Sequence, residues 1–348
     1  MVTFEHARAC FTAPSGYLAA CTLGLPTVQT TAAMRVDTEA WASGRASAAD
    51  YTDIVERTRA AYARLVRVPT DRVAIGSQTS VQAALLAASV PDGAEVLCVD
   101  GDFSSIVFPF LSQGHRGVRV RQVPLERLAA SIGRDTWLVA FSLVQSATGA
   151  LADADAIREA AAAHGAFTLC DTTQAVGWLP VDAKDFDATL CHSYKWLCAP
   201  RGAAFLTMSE AFQERVRPVQ TGWYAGENPW TSCYGPGMTL AADARRFDVS
   251  PAWPVWVGAE TAVGLFADLD IRRVHEHATA LAAEFADGVG IDPAGRAVIT
   301  WPDADGSRLA RLTAAGITAS GRAGRARVAF HLWNDRDDVV AALEALRV

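Results

Sequence analysis

Between about residues 70 and 210, short apolar runs alternate with amphipathic ones, and this alternation constrains the fold more than any other feature. Repetition of strand and helix buries each strand on both faces and builds a largely parallel sheet flanked by helices. The spacing predicts strands over Arg72–Ile75, Glu95–Val99, Val118–Val123, Trp137–Val144, Ala166–Cys170, Ala188–His192 and Ala203–Met208. Helices are expected over Val81–Val90 and Ala152–His164. Beyond Pro254 the pattern changes: helices over Val257–Leu269 and Ile271–Ala286, a strand over Arg325–Leu332 and a closing helix over Asp337–Leu346. The expected class is α/β, with a large domain over 46–240 and a smaller α+β domain over 241–348. The N-terminal segment, 1–45, is expected to pack on the smaller domain.

Composition narrows the function classes. A net charge of −7, with acidic and basic residues mixed, gives no electrostatic reason to expect nucleic acid or an anionic membrane as partner. No apolar run reaches the ~20 residues that span a bilayer. The opening residues, with Glu5, His6 and Arg8, lack the basic-then-apolar order of a signal peptide. Cys10, Cys21, Cys98, Cys170, Cys191, Cys198 and Cys233 are irregularly spaced and form no Cys-x-x-Cys pair. We therefore expect neither a metal site nor a disulfide framework, and a reducing cytoplasm as the setting. The segment Gly222–Gly237 is rich in Gly, Pro, Trp and Tyr and has no clear period. A lid, a dimer contact and a surface loop with buried aromatics all fit it.

The chemistry concentrates in two stretches, Cys170-Asp171-Thr172-Thr173-Gln174 and His192-Ser193-Tyr194-Lys195-Trp196. Asp171 closes one apolar strand, and Lys195 closely follows the next. Ligands of open α/β sheets sit at the carboxyl ends of strands, so both charges project into one crevice. A structural ion pair would account for them. So would pyridoxal phosphate, which needs an amine for its aldehyde, a carboxylate for its ring nitrogen and a holder for its phosphate. Gly76-Ser77-Gln78-Thr79-Ser80 follows a strand and opens an apolar helix, where amides and hydroxyls attract an anion. An ordinary Thr/Ser helix cap fits that stretch as well. No Walker-type Gly-Lys-Ser/Thr is present, which disfavours a nucleotide.

Taken with further motifs along nearly the whole chain, these residues resemble the class V aminotransferase superfamily of fold type I pyridoxal phosphate enzymes. That superfamily includes cysteine desulfurases, kynureninases, isopenicillin N epimerases and ergothioneine-pathway C–S lyases. The resemblance is carried by Tyr17–Pro26, Phe103-Ser104-Ser105, Gln145–Gly149, Asp171 with Gln174, Tyr194-Lys195-Trp196-Leu197, Pro200-Arg201-Gly202, Ala244–Pro251 and Arg327–Asn334. Ala19 and Ala20 stand where the family has Asn, and Ala329 and Trp333 where it has Ser and Tyr. The resemblance implies a Schiff base of pyridoxal 5′-phosphate on Lys195, with Asp171 on the ring nitrogen. It also implies Gln174 and the Ser146 segment at the phenolic oxygen, the Phe103 ring over the cofactor and Tyr194 on the phosphate. Gln78, Thr79 and His192 join as cofactor contacts, and the segment holding Ser250 crosses to the phosphate of a partner subunit in a homodimer. Arg327 is the candidate for the substrate carboxylate, which a guanidinium grips with two parallel hydrogen bonds. In a strand, Val328, Phe330 and Leu332 share one face, and Arg327 and Ala329 the other. Arg322 and Arg325 read as solvated. His115, His164, His275 and His277 sit in surface-like polar contexts and receive no role.

The reaction is less tightly specified. Desulfuration through a persulfide needs a mobile cysteine in the C-terminal third, and no cysteine follows Cys233. The preferred expectation is a lyase that eliminates the C–S bond of a cysteine conjugate or sulfoxide, with Lys195 removing the Cα proton. Transamination or epimerisation is the alternative. A cofactor-binding module without turnover is disfavoured by the intact set Lys195, Asp171, Gln174 and Arg327.

Overall fold

The computed structural model describes residues 2–347, so Met1 and Val348, the outer ends of the expected domains, lie outside it. The large sheet is built from β1 (Val73–Gly76), β2 (Glu95–Val99), β3 (Arg119–Val123), β4 (Thr136–Ser142), β5 (Phe167–Asp171), β6 (Ala188–His192) and β7 (Ala204–Met208). Their order is β1-β7-β6-β5-β4-β2-β3. The β2–β3, β2–β4, β4–β5 and β5–β6 pairs are parallel, whereas β7 runs antiparallel to both β6 and β1. The connection from β6 to β7 holds Lys195 and is too short for a crossover, so the chain must turn straight back.

Alternate residues of each buried strand feed two separate cores. Leu97, Val139, Phe141, Cys170 and Cys191 face one, and Val96, Cys98, Leu138, Ala140, Leu169 and Leu190 face the other. Such strands read as continuous apolar runs, which is why the sequence locates them. Among the boundaries that move, two do so for plain physical reasons. The strand expected to reach Val144 stops at Ser142, where the Asp102 carboxylate takes the Ser142 N–H (2.8 Å). The helix expected from Val81 starts at Thr79, after an extended Gln78, and runs to Ala87.

A second sheet has the order β8-β10-β9, with β8 Val298–Pro302, β9 Ser320–Arg322 and β10 Arg325–Ala329. It packs with the helices Ile271–Gly288 and Arg336–Leu346 around Ile299, Trp301, Val328 and Phe330. The strand expected to run to Leu332 ends at Ala329, so Leu332 does not share the face of Val328 and Phe330. It turns instead into the core that lies on one side of the large sheet. The helix Trp253–Ala267 packs against the helices Val28–Ala42 and Ala48–Leu65. Residues 16–19 cross the second sheet, through Leu18 N–H to Thr318 and Ala329 N–H to Leu18 (both 2.9 Å). Farther on, the Gly24 N–H reaches the Tyr194 carbonyl (2.9 Å), so this strap links the small sheet to the lysine loop.

The outer edge of β1 is closed by side chains rather than by another strand. Arg59 donates to the Val73 carbonyl (2.6 Å), and Asp248 accepts the Ile75 N–H (2.8 Å). The two side chains pair with each other at 2.6 Å and are almost completely buried. Together they offer one donor and one acceptor at alternate residues, as a neighbouring strand would.

Candidate active site

The carboxyl ends of β5 and β6 deliver Asp171 and, just past His192, Lys195 to two adjoining cavities. Phe103, Ser142, Val144, Ser146, Asp171, Thr173, Gln174 and Lys195 line the first. Gln78, Thr79, Ser80, Phe103, Ser105, Thr173, His192, Tyr194, Lys195 and Arg201 line the second. Phe103, Thr173 and Lys195 belong to both.

Two glycines fix the lysine loop. A Cβ at Gly24 would lie 1.9 Å from the Lys195 carbonyl oxygen. At Gly177, whose φ of +116° already favours glycine, it would lie 2.4 Å from the Trp196 oxygen. The Lys195-Trp196 stretch, through its two carbonyls, is thus held between the N-terminal strap and the turn after β5. His331 supports it from behind, with its Nε2 at 2.8 Å from the Trp196 carbonyl.

Lys195 is 5% exposed, and among the described residues its amine makes no hydrogen bond and no salt bridge. Its Nζ lies 5.4 Å from the centre of the Phe103 ring and 5.6 Å from that of Tyr194. Burial pushes the amine from 10.5 down to about 8, against the attraction of Asp171, while Arg327 and Arg322 add repulsion. Asp171 is equally buried, and its carboxylate accepts the Thr173 N–H (2.8 Å). Burial raises its proton affinity despite that bond and despite Lys195. Each group senses the other, but neither is close enough for an ion pair, so burial dominates both.

Other donors converge here. Gln174 donates to the Cys21 carbonyl (2.9 Å) and the Ser146 hydroxyl (3.3 Å), and accepts from the Trp196 indole (2.9 Å). Arg327, 1% exposed, donates to Ser320 (3.1 Å), to Thr22 (2.8 Å) and to the carbonyl of Ser146. His192 is pushed down to about 3 by burial and by the charges of Arg201 and Lys195. Its neutral ring packs edge-on to Tyr194, with centroids 4.4 Å apart. The Arg201 guanidinium, which lines the second cavity, lies 5.0 Å from the Tyr194 centroid.

These residues fit pyridoxal phosphate. A buried carboxylate with spare acceptor capacity and a buried amine with no partner are costly alone. A ring offering an N–H at one end and an aldehyde at the other would satisfy both, with the Thr79 helix terminus and Arg201 left for the phosphate.

The family model described as aminotransferase class-V matches residues 28–298. The chain belongs to this family. Kynureninase of Deinococcus radiodurans is 30% identical over 260 residues, a match spanning 70% of this chain and 62% of that protein, under two thirds of its length. The cystine C–S lyase C-DES shares the fold, with a TM-score of 0.87 at 18% identity over 96% of this chain and 97% of that one. The cysteine desulfurase CsdA of Escherichia coli does so too, at 0.84 and 18% identity over 99% and 98%. With the class V family come the fold type I architecture and the cofactor, pyridoxal 5′-phosphate.

Of the residues singled out in the sequence of this class V enzyme, Gln78, Thr79, Phe103, Ser146, Asp171, Gln174, His192, Tyr194 and Lys195 line the cavities. Arg327 joins them through Ser146. Ser250 is exposed and lines neither cavity. Of the neighbours Gln145 and Ser146, it is Ser146 that faces the cavity, while Gln145 is turned to Asp102 and Ser142. Arg325, read as solvated, instead holds Thr300 across β8. His275 stacks on Trp178, and His277 bonds to the Asn334 carbonyl (2.9 Å), so both are half-buried rather than surface groups. Sequence reasoning missed Asp102, Thr173, Arg201, Thr22 and Ser320 as parts of the site. Arg201 and Thr22 lay inside motifs already quoted, so the signal was there. Asp102 and Ser320 carry no motif at all. A separate cleft between 64–67, 176–181 and 267–272 has its arginines paired with Asp268, Asp182 and Asp270 and presents no comparable chemistry.

Proposed function

We propose that this chain is a pyridoxal phosphate-dependent lyase that eliminates the C–S bond of a cysteine conjugate or a cysteine sulfoxide-type amino acid. When bound, the cofactor accepts the electron pair left at Cα as a bond there breaks. Asp171 would hold the ring nitrogen and Phe103 would cover the ring. Thr79, Tyr194 and Arg201 would hold the phosphate, and Ser250 would reach the phosphate site of a second subunit. Arg327 would take the substrate's α-carboxylate in place of its bonds to Thr22 and Ser146. The Lys195 amine, near 8 rather than 10.5, is neutral often enough near neutral pH to take the Cα proton. Loss of that proton lets the Cβ–S bond break with its electron pair on sulfur, and Lys195 can return the proton to the departing group.

The state of the thiols carries the choice of elimination over desulfuration. Cys10, Cys21, Cys98, Cys170, Cys191 and Cys198 are buried, and burial raises the thiols of Cys98 and Cys191 to about 12. Cys170 and Cys191 lie within β5 and β6, where they cannot swing out. Cys233 alone is half-buried, in the irregular segment 222–237. The test is product analysis with a panel of cysteine derivatives. Stoichiometric pyruvate and ammonia support elimination, and keto-acid exchange or loss of optical activity without pyruvate would replace it with transamination or epimerisation.

We further propose a homodimer with shared sites. Trp41, Val36, Phe108, Tyr234 and Met238 are large apolar side chains more than half exposed, as an uncovered subunit face would leave them.

A further inference from the structure

Asp102 is a carboxylate beside the site to which the proposed reaction gives no task. It follows β2 through a turn at Gly101, whose φ is +73°. One oxygen accepts the Phe103 N–H (2.7 Å) and the Ser142 hydroxyl (2.6 Å). The other accepts the Ser142 N–H (2.8 Å) and the Gln145 amide (3.2 Å). Four donors on two oxygens use nearly all the acceptor sites of an ionised carboxylate.

Those donors belong to three separate pieces of the site. The Phe103 ring borders both cavities and stands over the Lys195 amine. Ser142 is the register partner of Asp171 across β4 and β5 and lines the first cavity. Gln145 precedes Ser146, whose carbonyl and hydroxyl hold Arg327. Asp102 itself lines neither cavity. An amide could not replace it, because Asn has one acceptor oxygen and would turn an NH2 group toward the remaining donors.

We propose that Asp102 is a positioning residue that seats the Phe103 ring over the cofactor and, through Gln145, steadies the Ser146 turn against which Arg327 rests. The proposal rests on the cofactor reading and is independent of which substrate bond is cleaved.

Purified holoenzyme of wild type, Asp102→Asn, Phe103→Leu and the double variant would be compared by visible circular dichroism, cofactor dissociation and steady-state kinetics. The dichroism reports how asymmetrically the protein surrounds the bound ring, which a general loss of stability does not move. Asp102→Asn should still bind the cofactor, about tenfold more weakly, the equivalent of one charge-assisted hydrogen bond. It should lose most of the dichroic band and raise KM more than it lowers kcat. With Phe103→Leu already present, Asp102→Asn should change the dichroism no further, yet should still raise KM through Arg327. Wild-type dichroism and affinity in Asp102→Asn, or a dichroic loss that adds in full to that of Phe103→Leu, would overturn the proposal. Should Asp102→Asn not fold, Ser142→Ala removes one donor and keeps the carboxylate. It should weaken cofactor binding and dichroism in the same direction, and wild-type values there would overturn the proposal equally. Wild-type protein that takes up no cofactor on Lys195 would instead defeat the cofactor reading.

Discussion

The Lys195 amine gives the sharpest quantitative expectation. Only the neutral amine can attack the cofactor's aldehyde, so the rate of capture by apoprotein follows the neutral fraction. With the amine near 8, about one molecule in ten is neutral at pH 7, against about one in 3,000 for an amine at 10.5. That is roughly a 300-fold advantage, and it comes from burial. The assay is stopped-flow absorbance of cofactor uptake by apoprotein from pH 6 to pH 10. Division by the rate for a simple alkylamine, taken per neutral amine at each pH, removes the cofactor's own titration. The ratio should rise with pH and level off above about 8. Asp171 provides the largest attraction holding a proton on Lys195, so Asp171→Asn should move the midpoint to lower pH. A midpoint near 10.5, or one that climbs in Asp171→Asn, would refute the account of this site as an amine perturbed by burial.

Three further outcomes follow from the same geometry. Gly24→Ala should cost about 1–3 kcal/mol in denaturant unfolding and slow cofactor capture, because the new methyl meets the Lys195 carbonyl; a variant with normal stability and capture would mean that the strap does not set the loop. Arg327→Ala should raise KM for amino-acid substrates about 30- to 150-fold, equal to the 2–3 kcal/mol of a lost charged contact, with a smaller change in kcat; an unchanged KM would remove Arg327 from carboxylate binding. Cys233→Ser should keep most turnover, and loss of activity with full cofactor loading would point to a thiol-dependent route.

What the sequence disclosed and what it hid have a common physical origin. β4, β5 and β6 were legible because both their faces are buried, which leaves unbroken apolar runs that end at Asp171 and His192. Lys195 and Asp171 stood out because opposite charges follow the carboxyl ends of two successive buried strands, where open α/β sheets bind their ligands. The helix Val28–Ala42 was not assigned, since Thr30 is its buried residue and its pattern of Thr, Ala and Glu shows no apolar stripe. β8 and β9 are short, and β9 is a three-residue strand with Gly321 at its centre. The face of Leu332 was misjudged because strand periodicity was extended past Ala329, where the backbone leaves the strand. Asp102 was invisible for another reason. Its meaning depends on Ser142 and Gln145, some 40 residues away, and a single sequence records no such proximity.

The side-chain seal on β1 has a consequence for the order in which this protein is made. Arg59 emerges before β1, with Glu56 beside it as a partner, but Asp248 follows Gly76 by roughly 170 residues, about 10–35 s of synthesis at 5–20 residues per second. For most of that interval β7, which covers the other side of β1, is also missing. The Ile75 amide therefore waits for its acceptor, and the other edge of β1 for β7, while the parallel pairs of β2 to β6 are already available to form. A nascent chain stalled between β6 and Asp248 presents this strand, with its apolar Val73, Ala74 and Ile75, to any neighbour on the same messenger. Until Asp248 arrives, that apolar edge stays open to any partner able to cover it.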